Sequence, residues 1–491
     1  MALLRATTSP PRHRRSPAAL WLALLLVPAA LRAPPVHAGE VVETFDDGSP
    51  KLKYLTNAQG QKEGRYAEYH PNGRVAVEAT YRADQLDGTW SAYFESGKLR
   101  VRTAYKAGRR SGRSEEYAES GDPTFTGTYA DDVLNGKVER FLGKKQVSTQ
   151  VWRNGELVTL EGVAVHPRSV ETLRKTVVSI LSGAASPQGP VKGKGKGHKP
   201  TPAPEEAPAE LVAKRAEALR RLQAFRFLCG VPYEDLRLGA TENMFAQGAA
   251  EISARIGRVD HEPPNPGLPD DQYRIAAKGA KSCNLDPEGA VPSIDAYFHD
   301  SDPSNVKRVG HRRWCLNPAM VVTGFGEAAD PAGKRFSAMW AMDSSRVQIP
   351  EYDAVCYPTQ GYMPLDFFAA ERAWSVSPNP LKFPNVPLEG GVDVRVYRLA
   401  PDFTRPEKPL ELDLLTVHGE VGSGACVIFR PKAVDLEEGA AYWVEVFGLD
   451  AKPKKPGERP RKGAEPSLRY LVHFCAAVKP AVAEGSTEEE R

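Results

Sequence analysis

Residues 305–320, NVKRVGHRRWCLNPAM, place His311 directly before two arginines, a tryptophan and a cysteine. A histidine in such a setting can act as a general base, bind a metal ion, or simply help to build a strand. The pattern of this segment predicts a strand, in which alternate side chains share one face. His311, Arg313 and Cys315 are then expected on one side of the strand, while Trp314 packs beneath neighbouring helices.

Arg313 is the second candidate group in this stretch. It is expected to pair with an acid such as Asp300 or Glu262, and the alternative is that it binds an anion. The pattern Ser304-x-x-Lys307 matches the nucleophile motif of penicillin-interacting serine enzymes. The companion motifs S-D-N and K-T-G do not occur in the sequence, so a chance match is the better explanation.

The N-terminal 38 residues have the composition of a signal peptide. A basic start is followed by the apolar run AALWLALLLVPAAL and by VHA before Gly39, which predicts cleavage after Ala38. The alternative is an uncleaved anchor, but the apolar run is shorter than the roughly 20 residues that a membrane span needs. No later stretch is apolar enough to cross a bilayer, so we expect a secreted or periplasmic protein without a transmembrane span.

Charge and cysteine content narrow the function further. Removing residues 1–38 takes away five arginines and no acids, so the formal net charge changes from +3 to −2. A nearly neutral mature chain gives no electrostatic reason to expect nucleic acid as a partner. Six cysteines all follow residue 228. An even number in an exported chain favours disulfides, and buried free thiols are the alternative.

The segment 43–158 repeats itself with a step of 24 residues. Glycines and aromatic residues keep this step, at Gly64, Gly88, Gly112 and Gly136, at Phe45, Tyr69, Tyr93, Tyr117 and Phe141, and at Tyr81, Tyr105 and Tyr129, with Trp152 one residue short. Each copy has two short alternating stretches around a glycine turn, which predicts one β-hairpin per repeat and a stacked array. The copies resemble MORN-like repeats, which implies a binding or spacing module. A purely structural spacer is the alternative.

Residues 159–209 are predicted to contain one helix and a disordered linker. The helix is expected within PRSVETLRKTVVSILS at 167–182. The following ASPQGPVKGKGKGHKPTPAPEEAPAE is rich in proline, glycine and charge, which cannot support a core and favours a flexible linker.

Residues 210–345 carry a second resemblance. Helices are predicted through ELVAKRAEALRRLQAFRFL and ATENMFAQGAAEISARIG, and short strands follow. The matching positions, in order, are Gln223, Arg226 and the turn GVP, the alanine-rich second helix with His261 after it, Cys283-Asn284, Tyr297 with Asp300, and Gly310-His311. This order is similar to the CAP superfamily of cysteine-rich secretory proteins, venom antigens and pathogenesis-related proteins. The resemblance implies an α/β/α sandwich with a cleft.

The resemblance also implies which residues face the cleft. In many family members two histidines and two glutamates do so, and here Cys283 and the shorter Asp300 stand at the glutamate positions. The implied cleft residues are His261, His311, Asp300, Asn284 and Arg313. Two imidazoles and a carboxylate can hold a divalent metal such as zinc, so His261 and His311 are expected to bind one weakly. The alternative is two structural histidines.

Cys283 has two expected roles that exclude each other. It can pair with His311 as an activated nucleophile. It can also form a disulfide with Cys315, and the oxidising environment of an exported protein favours the disulfide. Cys426 and Cys475 lie in strand-like stretches and are candidates for a second bridge.

The remaining chain is predicted to be a connecting strap (346–390), an all-β sandwich (391–478) and a disordered tail (479–491). Alternating runs such as VDVRVYRL, ACVIFRP and YWVEVFGL predict the sandwich, which resembles extracellular Ig-like domains.

The chain is therefore predicted to be multidomain, with a β-hairpin repeat array, a CAP-like α/β/α sandwich and a C-terminal β-sandwich. The expected role is non-catalytic binding or scaffolding at the cell envelope or outside the cell, with an unidentified ligand or protein there as partner. The alternative is a peptidase-like hydrolase acting from the cleft with His261 and His311. The two differ in whether a base, an acid and a nucleophile converge in the folded cleft.

Overall fold

The computed structural model describes residues 38–184, 207–419, 422, 424–450 and 463–478. The predicted signal peptide up to residue 37, most of the predicted linker (185–206) and the predicted tail (479–491) lie outside these residues. Within the described chain, no helix is both long and apolar enough to cross a membrane.

The first fourteen strands form one antiparallel sheet in which successive hairpins lie side by side. The predicted β-hairpin array is confirmed, and the chain as a whole is mostly β. The strands are β1 (Glu40–Thr44), β2 (Pro50–Thr56), β3 (Lys62–Tyr69), β4 (Val75–Arg82), β5 (Gln85–Leu86), β6 (Gly88–Tyr93), β7 (Leu99–Lys106), β8 (Arg109–Tyr117), β9 (Pro123–Ala130), β10 (Val133–Leu134), β11 (Gly136–Leu142), β12 (Lys145–Arg153), β13 (Glu156–Leu160) and β14 (Val163–Ala164).

The recurring glycines are required where one hairpin meets the next. Gly88 and Gly112 have φ angles of +136° and +117°, in a region that L side chains rarely adopt. A Cβ on Gly112 would lie 3.0 Å from Ala104 Cβ, and a Cβ on Gly88 would lie 3.1 Å from Thr80 Cβ. The glycine period therefore reflects both backbone conformation and close packing between neighbouring strands.

Tyrosines of the strands β2, β3 and β4 form one aromatic cluster on the sheet. Tyr66 lies opposite the small residue Ala79, and its ring centroid is 5.2 Å from that of Tyr81 and 6.1 Å from that of Tyr54. The Lys62 ammonium lies 5.0–5.3 Å from the centroids of all three tyrosine rings, within the range of a cation–π interaction. Neighbouring hairpins at the start of the array thus pack aromatic rings against each other.

Six α-helices and a small sheet follow the repeats within the described residues. The helices are α1 (Val170–Ser182), α2 (Ala209–Leu228), α3 (Ala240–Ile256), α4 (Asp270–Ser282), α5 (Pro292–His299) and α6 (Gly310–Cys315). The strands among them are β15 (Arg237–Leu238), β16 (Cys283–Asp286), β17 (Val322–Thr323), β18 (Phe325–Ala329) and β19 (Arg335–Trp340). Three of these form the sheet β16-β19-β18, and β15 pairs with β17.

Helices lie on both faces of the three-stranded sheet. Ala246 and Ala249 of α3 pack with Cys283 and Leu285 on one face. On the other face, Met339 of β19 belongs to a core that includes residues of α2 and α5. Small alanine side chains let α3 approach the sheet closely, as the sequence pattern of that helix indicates.

The C-terminal part contains two four-stranded sheets that pack on each other. Their orders are β20-β22-β25-β24 and β21-β27-β26-β23. The strands are β20 (Ala354–Tyr357), β21 (Gly361–Pro364), β22 (Trp374–Pro378), β23 (Asp393–Arg398), β24 (Leu412–His418), β25 (Cys426–Pro431), β26 (Ala441–Phe447) and β27 (Leu468–Cys475). Trp374 of one sheet lies 5.7 Å from Tyr442 of the other, ring centroid to centroid.

The segment expected to be a connecting strap is part of these sheets. Strands β20, β21 and β22 all come from residues 346–390, and Tyr357 and Trp374 are fully buried between the sheets and the helices. Its prolines do not prevent this, because they stand at strand ends, as Pro364 and Pro378 do, where a missing N–H costs no ladder hydrogen bond.

The three parts of the chain share their cores. One core runs from α1 and α2 through α5 into both C-terminal sheets. A second joins Leu157 and Leu160 of the last repeat strand to Trp443 and Leu471 of the C-terminal sheets. The expected modules therefore fold as one packed unit within the described residues.

Arg312 connects the helices to the C-terminal sheets from a fully buried position. Its guanidinium makes five hydrogen bonds: two to Phe298 O, one to His299 O, and one each to Ala373 O and Ser375 Oγ. The carbonyls of residues 298 and 299 are the unpaired end of α5, which a buried cation complements. Burial lowers the pKa of the Arg312 guanidinium, and these carbonyl contacts stabilise its charge.

We expect Arg312→Lys to lower the free energy of unfolding by about 2–4 kcal/mol, because a single ammonium cannot reach the acceptors that the planar guanidinium holds. Denaturant unfolding of the full chain measures this loss. Arg100→Lys, at an exposed position of β7, is the matched control and should change the free energy little. Equal stability of the two variants would contradict the role assigned to Arg312.

Candidate functional site

The segment around His311 is a helix, and the predicted strand is wrong. Val309 precedes α6 with φ 40° and ψ 51°, a left-handed conformation that a β-branched residue adopts only when its surroundings enforce it. The backbone turns into the helix there because the Asn305 side chain accepts a hydrogen bond from Gly310 N at 3.0 Å. Arg312 and Arg313 consequently point to different neighbours.

Asp300 and His311 form the centre of the site. Asp300 ends α5 in a left-handed conformation with φ 49°, and its side chain is fully buried. His311 Nδ1 donates to Asp300 Oδ1 at 2.8 Å, and Arg312 N donates to Asp300 Oδ2 at 3.0 Å. Because a carboxylate only accepts, Nδ1 carries the proton and Nε2 is the free nitrogen of the neutral ring.

Asn305 holds this pair in place. Its Nδ2 donates to Asp300 Oδ1 and lies 3.0 Å from His311 Nδ1. Its Oδ1 accepts from Arg308 Nε and from Gly310 N, both at 3.0 Å. One buried amide thus fixes the end of α5, the start of α6 and the imidazole between them.

The electrostatics of His311 reflect both burial and Asp300. Burial by itself lowers the pKa of His311, but the hydrogen bond and the charge of Asp300 outweigh it and raise the pKa above its ordinary value. The His311 side chain is 26% exposed. Since Nδ1 faces the buried carboxylate, Nε2 is the ring nitrogen that remains for a further hydrogen-bond partner.

A second carboxyl group, Asp286, lies within electrostatic reach of His311. Burial raises the pKa of Asp286 to about 6, and the charge of His311 partly opposes this. Its Oδ1 is buried and has no hydrogen-bond partner within the described residues. Ser337 lies directly opposite on β19, and its hydroxyl neighbours that of Tyr297. An unsatisfied buried polar atom is costly and marks a place that can accept a polar ligand group.

The predicted cleft residues separate into two groups. Asn284 belongs to the site, since its Nδ2 donates to His311 O at 3.1 Å. His261 is exposed, and its Nδ1 contacts Ala280 O at 2.7 Å rather than a residue of this group. Arg313 is also elsewhere, because its guanidinium donates to Gly424 O and lies 3.4 Å from His418 Nδ1.

The contacts therefore bring together Asp300, His311 and Asn284, and they join neither His261 nor Arg313 to them. Arg313 donates to the Gly424 carbonyl of the C-terminal part instead of pairing with an acid as expected. Among the residues that the structure describes, no three histidine, cysteine, aspartate or glutamate side chains are placed to hold one metal ion. Weak zinc binding at His261 and His311 stays a prediction.

The expected disulfides are wrong in the described structure, where all six cysteines are free and buried. Cys283 packs against α3 and α4, whereas Cys315 contacts Asn284 and Met339 across the sheet. Adjacent residues of a strand face opposite ways, so Cys283 points away from both Cys315 and His311. Cys426 packs with Val309 and Ile428 outside the core between the two C-terminal sheets, so it does not face Cys475 of the opposite sheet.

These placements also argue against Cys283 as a nucleophile. Burial raises the pKa of its thiol well above the ordinary range, and a thiol in apolar surroundings is inert. The Tyr297 hydroxyl, near His311, is buried and donates to Asn284 O at 3.0 Å, so it is not available as a nucleophile either.

Sequence reasoning missed Asp286 and Asn305. Asp286 is two residues after Asn284, so strand alternation places both on one face, and this was the available signal. Asn305 belonged to the stretch dismissed as a chance motif, and its role depends on contacts with Asp300 and Gly310 that no local pattern reveals.

Comparisons with known proteins identify the repeats. A family model described as a MORN repeat variant matches residues 62–83 and 86–107, which contain two hairpins of the large sheet. No curated protein matches the chain. A solved structure, the "GtfA/B complex bound to UDP and GlcNAc", matches over 26% of this chain and 24% of that chain, at 13% identity and a TM-score of 0.15. A score of this size does not establish a common fold.

We expect Asp300→Asn to lower the pKa of His311 below its ordinary value, because the charge that raises the pKa is lost while burial remains. In the wild type, the pKa of His311 is raised, so its contact with Asp300 stabilises the folded state fully below pH ~6.5. This stabilisation is lost as the pH rises through the pKa that His311 has in the folded protein. NMR titration of the imidazole measures both variants. Asp302→Asn, which removes a more distant charge, should change the pKa much less; an unaltered His311 titration in Asp300→Asn would refute the pairing.

Proposed function

We propose that this chain is an exported protein of CAP type that binds a ligand without chemically changing it. Its candidate site consists of His311, Asp300 and Asp286, and its repeat sheet serves as a scaffold fixed to that site. Secretion or a periplasmic location, with the mature chain beginning at Gly39, belongs to the same proposal and rests on the N-terminal pattern. We also propose that the C-terminal sheets form an Ig-like domain.

The assignment to the CAP type is supported by the arrangement around His311. Helices cover both faces of the small sheet, as an α/β/α sandwich requires. The histidine after Gly310 contacts the acid that ends α5, and these are two of the positions at which the sequence is similar to the family. The absence of contacts between His261 and this pair is a departure from the expected cleft.

The observation that carries the binding proposal is the buried, unpaired Asp286 Oδ1 within electrostatic reach of the partly exposed His311 side chain. A neutral imidazole Nε2 and a carboxylate oxygen both accept hydrogen bonds. A ligand that presents N–H or O–H donors, such as an amide, an amine or a sugar hydroxyl, would satisfy both. Its binding would remove the cost of leaving the buried oxygen unpaired.

The same geometry disfavours covalent catalysis. The thiol of Cys283 is on the far face of the sheet, the Tyr297 hydroxyl is committed to a carbonyl, and Ser337 is fully buried. None of these side chains is in a hydrogen bond with His311, which is what activation by a base requires.

A hydrolase that uses water as the nucleophile is the second candidate. It is favoured by one observation: Asp300 orients His311 through Nδ1 and raises its pKa, as the acid of a His–Asp pair does in general base catalysis. Such an enzyme would need His311 for turnover, whereas a binding protein would not turn over at all.

The two proposals are separated by one set of measurements on the mature chain. Short peptides and soluble oligosaccharides are titrated against the wild type while the His311 ring is followed by NMR, and their hydrolysis is assayed in parallel. We expect ligand-dependent shifts without turnover. Asp286→Asn should weaken binding by about tenfold or more, since a hydrogen bond to a charged group contributes ~1.5–3 kcal/mol.

Asp271→Asn is the matched control, because it makes the same chemical change at an exposed acid in the first turn of α4 and should leave affinity nearly unchanged. Hydrolysis by the wild type that disappears in His311→Ala would reject the binding proposal and favour the hydrolase.

A further inference from the structure

Two half-buried histidines meet where the repeat sheet joins the C-terminal sheets. His166 follows β14, and His473 lies on β27. His166 Nε2 is 3.1 Å from His473 Nδ1. Both rings stack on Tyr362 of β21, at centroid distances of 4.0 and 4.9 Å, and Phe403 packs edge-on against His473.

The contacts fix which nitrogen carries each proton. His166 Nδ1 is 3.0 Å from Leu157 O, and a carbonyl only accepts, so His166 donates from Nδ1. In the neutral ring Nε2 then accepts, and His473 donates to it from Nδ1. A proton added at His166 Nε2 would place N–H against N–H unless His473 changed its tautomer. A second proton would place two positive charges at hydrogen-bond distance.

The surroundings give a doubly charged pair little compensation. The ionisable groups on the elements packed around it include Glu156 on β13, Arg153 on β12, Arg168 before α1, Tyr362 on β21, Arg398 on β23, Glu445 on β26, and Arg469 and Cys475 on β27. Arginines outnumber acids among them. A cavity of about 430 Å³, lined by His166, Arg153 and Arg168 among others, adjoins the pair and gives protons a route to it.

We propose that His166 and His473 form an acid-sensitive latch that holds the last repeat against the C-terminal sheets at neutral pH and releases it under acid conditions. Release would separate the apolar core that Leu157 and Leu160 share with Trp443 and Leu471. The orientation of the repeat sheet relative to the rest of the chain would then depend on pH.

The direction of the pH effect follows from linkage. Burial, the neighbouring His166 and Arg398 lower the pKa of His473 from 6.5 to about 4, and burial lowers that of His166. An opened junction takes up protons near pH 6.5, whereas the closed junction resists them. The closed form is therefore fully favoured above pH ~6.5, and its advantage falls by about tenfold per pH unit between there and pH ~4.

Hydrogen exchange with mass spectrometry on the full mature chain tests the latch. Exchange rates at pH 7 and pH 4.5 are divided by the intrinsic rates of an unstructured chain. We expect protection of residues 156–166 and 400–404 to fall by about 100-fold at pH 4.5. Protection of β19, which is distant from the junction, should stay nearly constant and serves as the internal control.

Two variants assign the effect to the pair. In His473→Asn the side-chain amide supplies the donor of Nδ1 but takes up no proton, so the loss at pH 4.5 should shrink to the part that the burial of His166 contributes. In His166→Gln the neighbouring charge that lowers the pKa of His473 is gone, so the loss should still begin near pH ~6.5 but be smaller than in the wild type. Undiminished junction protection in the wild type at pH 4.5, or an equal loss in the wild type and both variants, would overturn the proposal.

Discussion

The last hairpin of a repeat array has an apolar surface and no following repeat to cover it. In this chain that surface is covered by the C-terminal sheets: Trp152 packs edge-on against Phe403 at 5.8 Å, and Gln150 Nε2 donates to Asp402 O at 2.8 Å. Arrays of this kind need a cap at each end. Because the cap here is part of a core that continues into the helices, the repeats and the candidate site are held in one packed unit.

The site itself depends on how the ends of two short helices are stabilised. Arg312 binds the final carbonyls of α5, and a second fully buried guanidinium, Arg226, binds Cys315 O and Asn317 O at the end of α6. Burial lowers the pKa of Arg226 to about 9. Helices this short are not stable alone, so these buried cations determine where Asp300 and His311 meet.

The sequence predicts the parts of the fold that repeat or alternate. The 24-residue step predicts the hairpin sheet because Gly112 and Tyr81 are required again in each copy, and alternation predicts the later strands of the C-terminal sheets. Prediction from the sequence fails where contacts between distant residues determine the local conformation. Val309 and α6 are an example, since Asn305 and the buried Arg312 enforce a helix on residues whose spacing suggests a strand. The cysteine pairs fail for a related reason: spacing does not reveal that Cys283 faces the opposite side of the sheet from Cys315.

The central claim is that the repeat sheet and the C-terminal sheets unfold together because they share a core. The most direct measurement places a change on one side and observes the other: Leu157→Ala in the last repeat, with denaturant-induced exposure of the buried thiols of Cys356 and Cys426 as the readout. We predict that thiol exposure shifts to lower denaturant, by an amount that corresponds to about 2–4 kcal/mol. Leu142→Ala, at a position that is 76% exposed, should cause no such shift. Thiol exposure at the wild-type midpoint in Leu157→Ala would contradict the shared core.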